Sequence, residues 1–441
     1  MSFPKRTIVD EHKLFPDLPN NNIAPIRPSS NDLWGRDGDS FFYNGNVKMN
    51  CPAGLVWNSA KKECGYSSKK PAPKPAPKPA PKPAPKPPAP KPPAPKPPAP
   101  KPPAPKPPVP QPPAPKPPAP QPPAPSTDRS DKGLKPVMIN VGGVQHAYQS
   151  PANPKGLVVF LHGCARSIYG GWPPSSNPKF FGMPEDVGRT KQCLRAGYAI
   201  LYVAPANSKT GCFSAKEGKD PDTTTRVIDQ VRKITGTNNK PLYLGGCSAG
   251  GGMIQRMVAD GKIRCNGMFN ESATRSEPSN KTPASLWTVL ATDKEYDAGV
   301  EMAKMLKKEG KPAAVLVSPR RQITPAFFAE QMASISFANS AKIADSLRKS
   351  RAIDASGYVS GDIKNDKTWY NNLKKDVPIP ETQLPFWNSG IVQAMMTAQG
   401  VHEAVSMYMT TFLEWAEGDF KGDINDLAKK YVVKSPAYVI V

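Results

Sequence analysis

Gly246-Cys247-Ser248-Ala249-Gly250 sets a serine between glycines directly after the apolar run Pro241-Leu242-Tyr243-Leu244. A serine hydroxyl is a poor nucleophile unless a sharp strand-to-helix turn exposes it to a base and sets it beside backbone N–H donors. The glycines permit such a turn because they carry no Cβ to collide with neighbouring backbone. Gly250-Gly251-Gly252 then leads into Met253-Ile254-Gln255-Arg256-Met257-Val258, which can continue as a helix. The pentapeptide alone is a weak signal, and its weight comes from the order strand, turn, helix.

Other elements must position that serine. Gly156-Leu157-Val158-Val159-Phe160-Leu161 reads as a fully buried strand ending at His162-Gly163-Cys164, and Tyr198-Ala199-Ile200-Leu201-Tyr202-Val203 as the next. A helical stretch around Thr224 to Thr235 precedes the serine turn. Strand candidates follow it at Gly267-Met268-Phe269-Asn270, Ser285-Leu286-Trp287-Thr288-Val289-Leu290 and Ala313-Ala314-Val315-Leu316-Val317. Strands alternating with helices predict an α/β fold, a mostly parallel sheet with helices on both faces.

In this order of elements the chain resembles the α/β-hydrolase superfamily over about residues 134 to 420. The resemblance rests on the His162-Gly163 turn, the elbow at Ser248, and a late His402 before a helix. It implies an acid after the strand that ends near Thr292. Asp293 stands there, with Asp297 as the alternative one helical turn on, and Gly299 to Gly310 reads as the helix that follows. The base comes from four histidines. His12 lies in a polar N-terminal segment, His146 in an early strand candidate suited to a structural imidazole, and His162 at the end of the oxyanion strand. His402 follows Ala398-Gln399-Gly400 and precedes an apolar-patterned helix from Ala404 to Trp415, where the family keeps its base; the bland alternative is a helix N-terminal residue with no chemistry.

The resemblance implies acyl transfer to Ser248, with His402 as base and Asp293 fixing its tautomer. Backbone N–H groups of Ala249 and of Gly163 or Cys164 would hold the oxyanion. Cys247 is expected to point away as a small packed side chain. No His, Cys, Asp or Glu group has metal-ligand spacing and no phosphate-binding glycine loop follows a strand, so neither a metal nor another cofactor is expected. About eighty residues, 319–399, separate the last strand from His402. With Phe327-Phe328, a helical stretch from Ala338 to Ser350, Trp369 and Trp387, they read as a folded helical insertion that either covers the pocket or decorates the fold.

The net charge of +23 would suggest an anionic partner, but much of it is local. Residues 71–125 repeat K-P-A-P and K-P-P-A-P, with 32 of the 57 prolines, nine lysines and no acidic residue. Such a tract favours polyproline II and would reach about 170 Å at ~3.1 Å per residue. It reads as a semi-rigid spacer, within residues 69–133, between a C-terminal domain at 134–441 and an N-terminal module. Without a nucleic-acid module or aromatic interleaving, nucleic-acid binding is not expected.

Residues 38–68 carry Phe41-Phe42-Tyr43-Asn44-Gly45, then Cys51-Pro52-Ala53-Gly54-Leu55-Val56-Trp57-Asn58 and Cys64-Gly65-Tyr66, after a polar segment at 1–37. This resembles the second half of a peritrophin-type chitin-binding domain. The resemblance implies a Cys51–Cys64 disulfide and stacking of Trp57 with Phe42 or Tyr43 on sugar rings, although such domains usually hold six cysteines. A chitin-like or algal wall polysaccharide is the implied partner. No N-terminal apolar segment of signal type and no membrane-spanning run is found, and the seven cysteines do not fit a disulfide-dense secreted class. The proline repeats are similar to those of large algal virus proteins, which implies packaging in a virus particle. Two function classes follow: a serine esterase tethered to polysaccharide, or an inactive hydrolase fold serving adhesion.

Overall fold

A computed structural model describes residues 128–441, apart from 207–210, 216–218 and 275–276, together with four short N-terminal strands. Those strands are β1 (Ser40–Tyr43), β2 (Asn46–Met49), β3 (Val56–Asn58) and β4 (Glu63–Gly65). They form two antiparallel pairs, β1 with β2 and β3 with β4; Trp57 stands opposite Cys64 in the second register. Cys51 and the side chains of Phe42, Tyr43, Trp57 and Cys64 lie outside the described residues, as does the proline-rich tract.

The large unit is built on eight strands. They are β5 (Val137–Val141), β6 (Val144–Gln149), β7 (Leu157–Leu161), β8 (Ala199–Val203), β9 (Leu242–Cys247), β10 (Gly267–Glu271), β11 (Ala284–Leu290) and β12 (Ala313–Ser318). Their order across the sheet is β12-β11-β10-β9-β7-β8-β6-β5. The strands from β8 to β12 run parallel, while β6 is antiparallel to both of its neighbours. This is the α/β-hydrolase arrangement.

The parallel strands are apolar at successive positions because both sheet faces are covered. Alternate residues of β7 go to opposite cores: Val158 and Phe160 to one, Leu157, Val159 and Leu161 to the other. Helices α1 (Pro184–Arg195), α10 (Met409–Glu417) and α11 (Ile424–Tyr431) contribute to the first core. Helices α2 (Asp220–Thr235) and α3 (Ser248–Ala259) contribute to the second. Helix α4 (Tyr296–Lys308) packs beside β11 and β12.

The segment 319–399 folds as helices α5 (Phe327–Gln331), α6 (Phe337–Lys349), α7 (Thr368–Asp376), α8 (Pro380–Gln383) and α9 (Gly390–Gln399). These share a core of their own that includes Phe328, Leu347, Trp369, Leu373, Phe386 and Trp387. A segment with its own buried aromatic core is a folded layer rather than a long loop. Among the described residues no helix is long and apolar enough to cross a membrane.

The expected helix from Ala404 begins later, at Met409. The N–H groups of Ala404, Val405 and Ser406, ahead of that helix, donate to carboxylates.

Candidate active site

Strand β9 ends at Cys247, whose backbone is extended (φ −102°, ψ 140°), and Ser248 turns at φ 49° to open α3. A left-handed conformation at a non-glycine residue costs about 1 kcal/mol or more, so the surroundings must enforce it. They do so by close packing. A Cβ on Gly246 would stand 2.5 Å from Leu161 O, and one on Gly250 would stand 2.3 Å from Leu161 O and 2.5 Å from His162 O. Only glycine lets the turn press that closely on the end of β7. Ser248 is half-buried, while Cys247 faces the opposite core with Tyr243, and burial drives its thiol well above the ordinary range.

The loop after β7 lies against this turn: a Cβ on Gly163 would be in ordinary contact with Ser248 Cβ at 3.5 Å. His162 donates Nδ1–H to the Gly163 carbonyl at 2.8 Å. Burial lowers its pKa to about 4, so the imidazole is neutral and shapes the loop. Arg166 N–H closes the turn on Gly163 O at 3.2 Å, with Ala165 left-handed between them. Cys164 is disulfide-bonded to Cys212, a pairing that the sequence reading did not foresee. Phe213, next to Cys212, packs on His162 with ring centroids 5.2 Å apart.

Asp293 and His402 are 109 residues apart in the chain and meet each other. His402 Nδ1 stands 3.1 Å from Asp293 Oδ2 and 3.3 Å from Oδ1. The carboxylate is almost wholly buried, whereas the imidazole is about one-third exposed (34%). Burial pushes the Asp293 carboxyl up, but the His402 hydrogen bond and charge, with the Glu295 N–H at 3.1 Å, outweigh it. The group is held below its usual range. The two loops are also joined directly, since the Thr292 N–H and hydroxyl donate to Gly400 O at 3.0 and 2.8 Å. Gly400 caps α9 at φ 88°, a conformation that suits glycine. Asp297 lies exposed in the first turn of α4, in a different setting from Asp293.

His146 is buried on β6 and accepts from the Ala204 N–H at 3.1 Å; burial lowers its pKa to about 4. His12 lies outside the described residues. Among the described residues no group of three His, Cys, Asp or Glu side chains is placed to hold a metal.

Several charged residues near the site escaped the sequence reading. Arg166 pairs with Glu403, the neighbour of His402, and donates to the Trp387 carbonyl at 2.6 Å. Arg189, wholly buried on α1, pairs with Glu271 at the end of β10 and with Asp186. Arg321 pairs with Glu185 at 3.1 Å. Lys364 of the 319–399 layer is shifted down by burial, with Glu403 raising it and Arg166 lowering it. The available signal was Glu271, an acid closing a buried strand.

No family model matches the chain, and no curated protein matches it. Among solved structures it is similar to a hormone-sensitive lipase from a metagenome library, at 14% identity and TM-score 0.32, covering 44% of this chain and 77% of that one. It is likewise similar to carboxyl esterase 2 from the mycorrhizal fungus Tuber melanosporum, at 14% identity and TM-score 0.32, covering 42% and 75%. An arylesterase structure shows 13% identity and TM-score 0.31, covering 42% and 75%.

Proposed function

We propose that residues 134–441 are a serine hydrolase acting on esters, with Ser248 as nucleophile, His402 as base and Asp293 as the group that orients it. The observation that carries this reading is the contact of His402 Nδ1 with the buried Asp293 carboxylate, in a fold whose Ser248 is held left-handed at a strand-to-helix elbow. With Nδ1–H donated to Asp293, Nε2 is the nitrogen free to take a proton. Ser248 Oγ then bonds to the ester carbonyl carbon as its proton passes to Nε2. Charge developing on the carbonyl oxygen would be met by N–H groups of Ala249 and of Gly163 or Cys164. Collapse breaks the bond to the alcohol, which leaves with the proton from Nε2, and water releases the acyl group by the same steps.

The N-terminal residues 38–68 give this reading its substrate setting. By their resemblance to a chitin-binding module they would hold polysaccharide through Trp57, Phe42 and Tyr43, stapled by Cys51–Cys64, while the spacer lets the hydrolase reach acyl groups on it. Tethering raises local substrate concentration without adding contacts in the pocket.

Turnover of p-nitrophenyl acetate and butyrate by the purified chain tests the chemistry. Ser248→Ala and His402→Ala should each lower kcat by at least about 10³-fold, and the double variant should be little worse than either. Wild-type protein without turnover, or clearly additive losses, would count against the reading. Trp57→Ala should leave that turnover intact and lower retention on insoluble chitin or algal wall; equal retention would remove the polysaccharide part alone.

A further inference from the structure

Three successive backbone N–H groups just beyond His402 end on three different carboxylates. Ala404 N–H donates to Glu403 Oε1 at 3.0 Å, Val405 N–H to Glu271 Oε2 at 2.8 Å, and Ser406 N–H to Glu185 Oε2 at 2.8 Å. The Ser406 hydroxyl adds a second bond to Glu185 Oε2 at 2.8 Å. All three carboxylates are buried, and each has its own arginine. Arg166 pairs with Glu403, Arg189 with Glu271 through Nε–Oε1 at 2.9 Å and a second contact, and Arg321 with Glu185 at 3.1 Å.

A loop of this kind can satisfy its N–H groups with main-chain carbonyls or an Asn side chain at little cost. Taking three ion pairs out of water is far more demanding, and each must be close-fitted to offset its desolvation. What such pairs provide is geometric definition, because a buried guanidinium–carboxylate contact tolerates little displacement; in the Arg189–Glu271 pair the contact is two-pronged.

The arginines come from three places: the turn after β7, helix α1, and the start of the 319–399 layer. The Arg166 pair alone spans from the Gly163 turn to the residue beside His402. The same guanidinium also donates to the Trp387 carbonyl at 2.6 Å and lies 5.5 Å from the Trp387 ring centroid. Its side chain is 13% exposed and that of Glu403 is 4% exposed.

We propose that Arg166 and Glu403 are positioning residues that fix the spacing between the Gly163 turn and His402, with the Arg189–Glu271 and Arg321–Glu185 pairs bracing the same loop from below. This rests on the reading of His402 as the base. Neither residue touches the reacting atoms; each acts through the loop that carries the group that does.

The double variant Arg166→Met/Glu403→Met tests this, because it removes both charges and leaves neither buried alone. On p-nitrophenyl butyrate, kcat should fall on the order of tenfold to a hundredfold with KM within about twofold, as expected for displaced catalytic groups. The melting temperature of the same samples shows whether the double variant is folded. Wild-type kcat in a folded double variant would overturn the proposal while leaving the Ser248 chemistry standing. The variant Glu403→Gln keeps an acceptor for Ala404 N–H and should lose kcat in the same way; retention of full kcat there would also count against the proposal. If wild type turns over and Ser248→Ala does not, the functional reading stands whatever these variants do.

Discussion

Removing the disulfide between Cys164 and Cys212 should unfasten the turn that faces Ser248. The two cysteines are 48 residues apart in sequence. Closing a loop of that length restricts the unfolded chain by about 14 cal/mol/K, or roughly 4 kcal/mol at 25 °C on the chain-entropy account. The bond also does local work. Cys212 lies between Gly211 and Phe213, Phe213 packs on His162, and Ser214 N–H is anchored on Asp220 Oδ2 at 2.8 Å in the first turn of α2. The bond therefore braces the Gly163 turn on a helix. Cys164→Ser/Cys212→Ser should lower stability by about 4 kcal/mol and the melting temperature by roughly 10 °C. The Arg166–Glu403 pair still holds the other side of the turn, so kcat should fall only on the order of tenfold rather than vanish. The assays are urea unfolding at pH 7 with and without reductant, and ester turnover on the same samples. An unchanged unfolding midpoint and unchanged kcat in the double variant would refute the reasoning.

The acid is tested by substitution: Asp293→Asn should lower kcat by orders of magnitude, on the order of 10³ or more, while Asp297→Asn, on the exposed face of α4, should leave it within about twofold; the reverse ranking would reassign the role. Gly250→Ala should prevent the turn from closing, because its Cβ would meet backbone oxygens of Leu161 and His162 inside 2.6 Å; a folded, fully active variant would contradict the packing. His146 is buried with its pKa lowered to about 4 and should contribute a pH-dependent term. The unfolded chain takes up that proton near 6.5 and the folded one only near 4, so this stability is present above pH 6.5 and lost as pH falls toward 4, by about 3 kcal/mol. Burial also pushes the Glu271 carboxyl up against the pull of Arg189, a contribution of the opposite sign. The comparison is therefore between wild type and His146→Gln, whose loss of stability from pH 7 to 4.5 should be smaller by about 2.4 kcal/mol.

Much of the fold was legible because the parallel strands must be apolar on both faces. Leu157–Leu161 and Ala199–Val203 read as strands for the same reason that they are buried as strands. The elbow was legible because close approach admits only glycine around Ser248. What local sequence could not show were features whose partners lie far along the chain. Cys164 and Cys212 have no spacing that marks a pair. Glu271, Glu185 and Glu403 become one cluster only when β10, α1 and the His402 loop are brought together.

Whether Ser248 is an activated nucleophile decides the chemistry of this site. Incubation of the full chain with a fluorophosphonate probe, followed by peptide mass spectrometry, measures that directly. The geometry predicts a single phosphonyl adduct on the peptide carrying Ser248, lost in Ser248→Ala and slowed by about 10³-fold or more in His402→Ala. A folded wild-type chain that forms no adduct at Ser248, or forms it equally fast without His402, would contradict it.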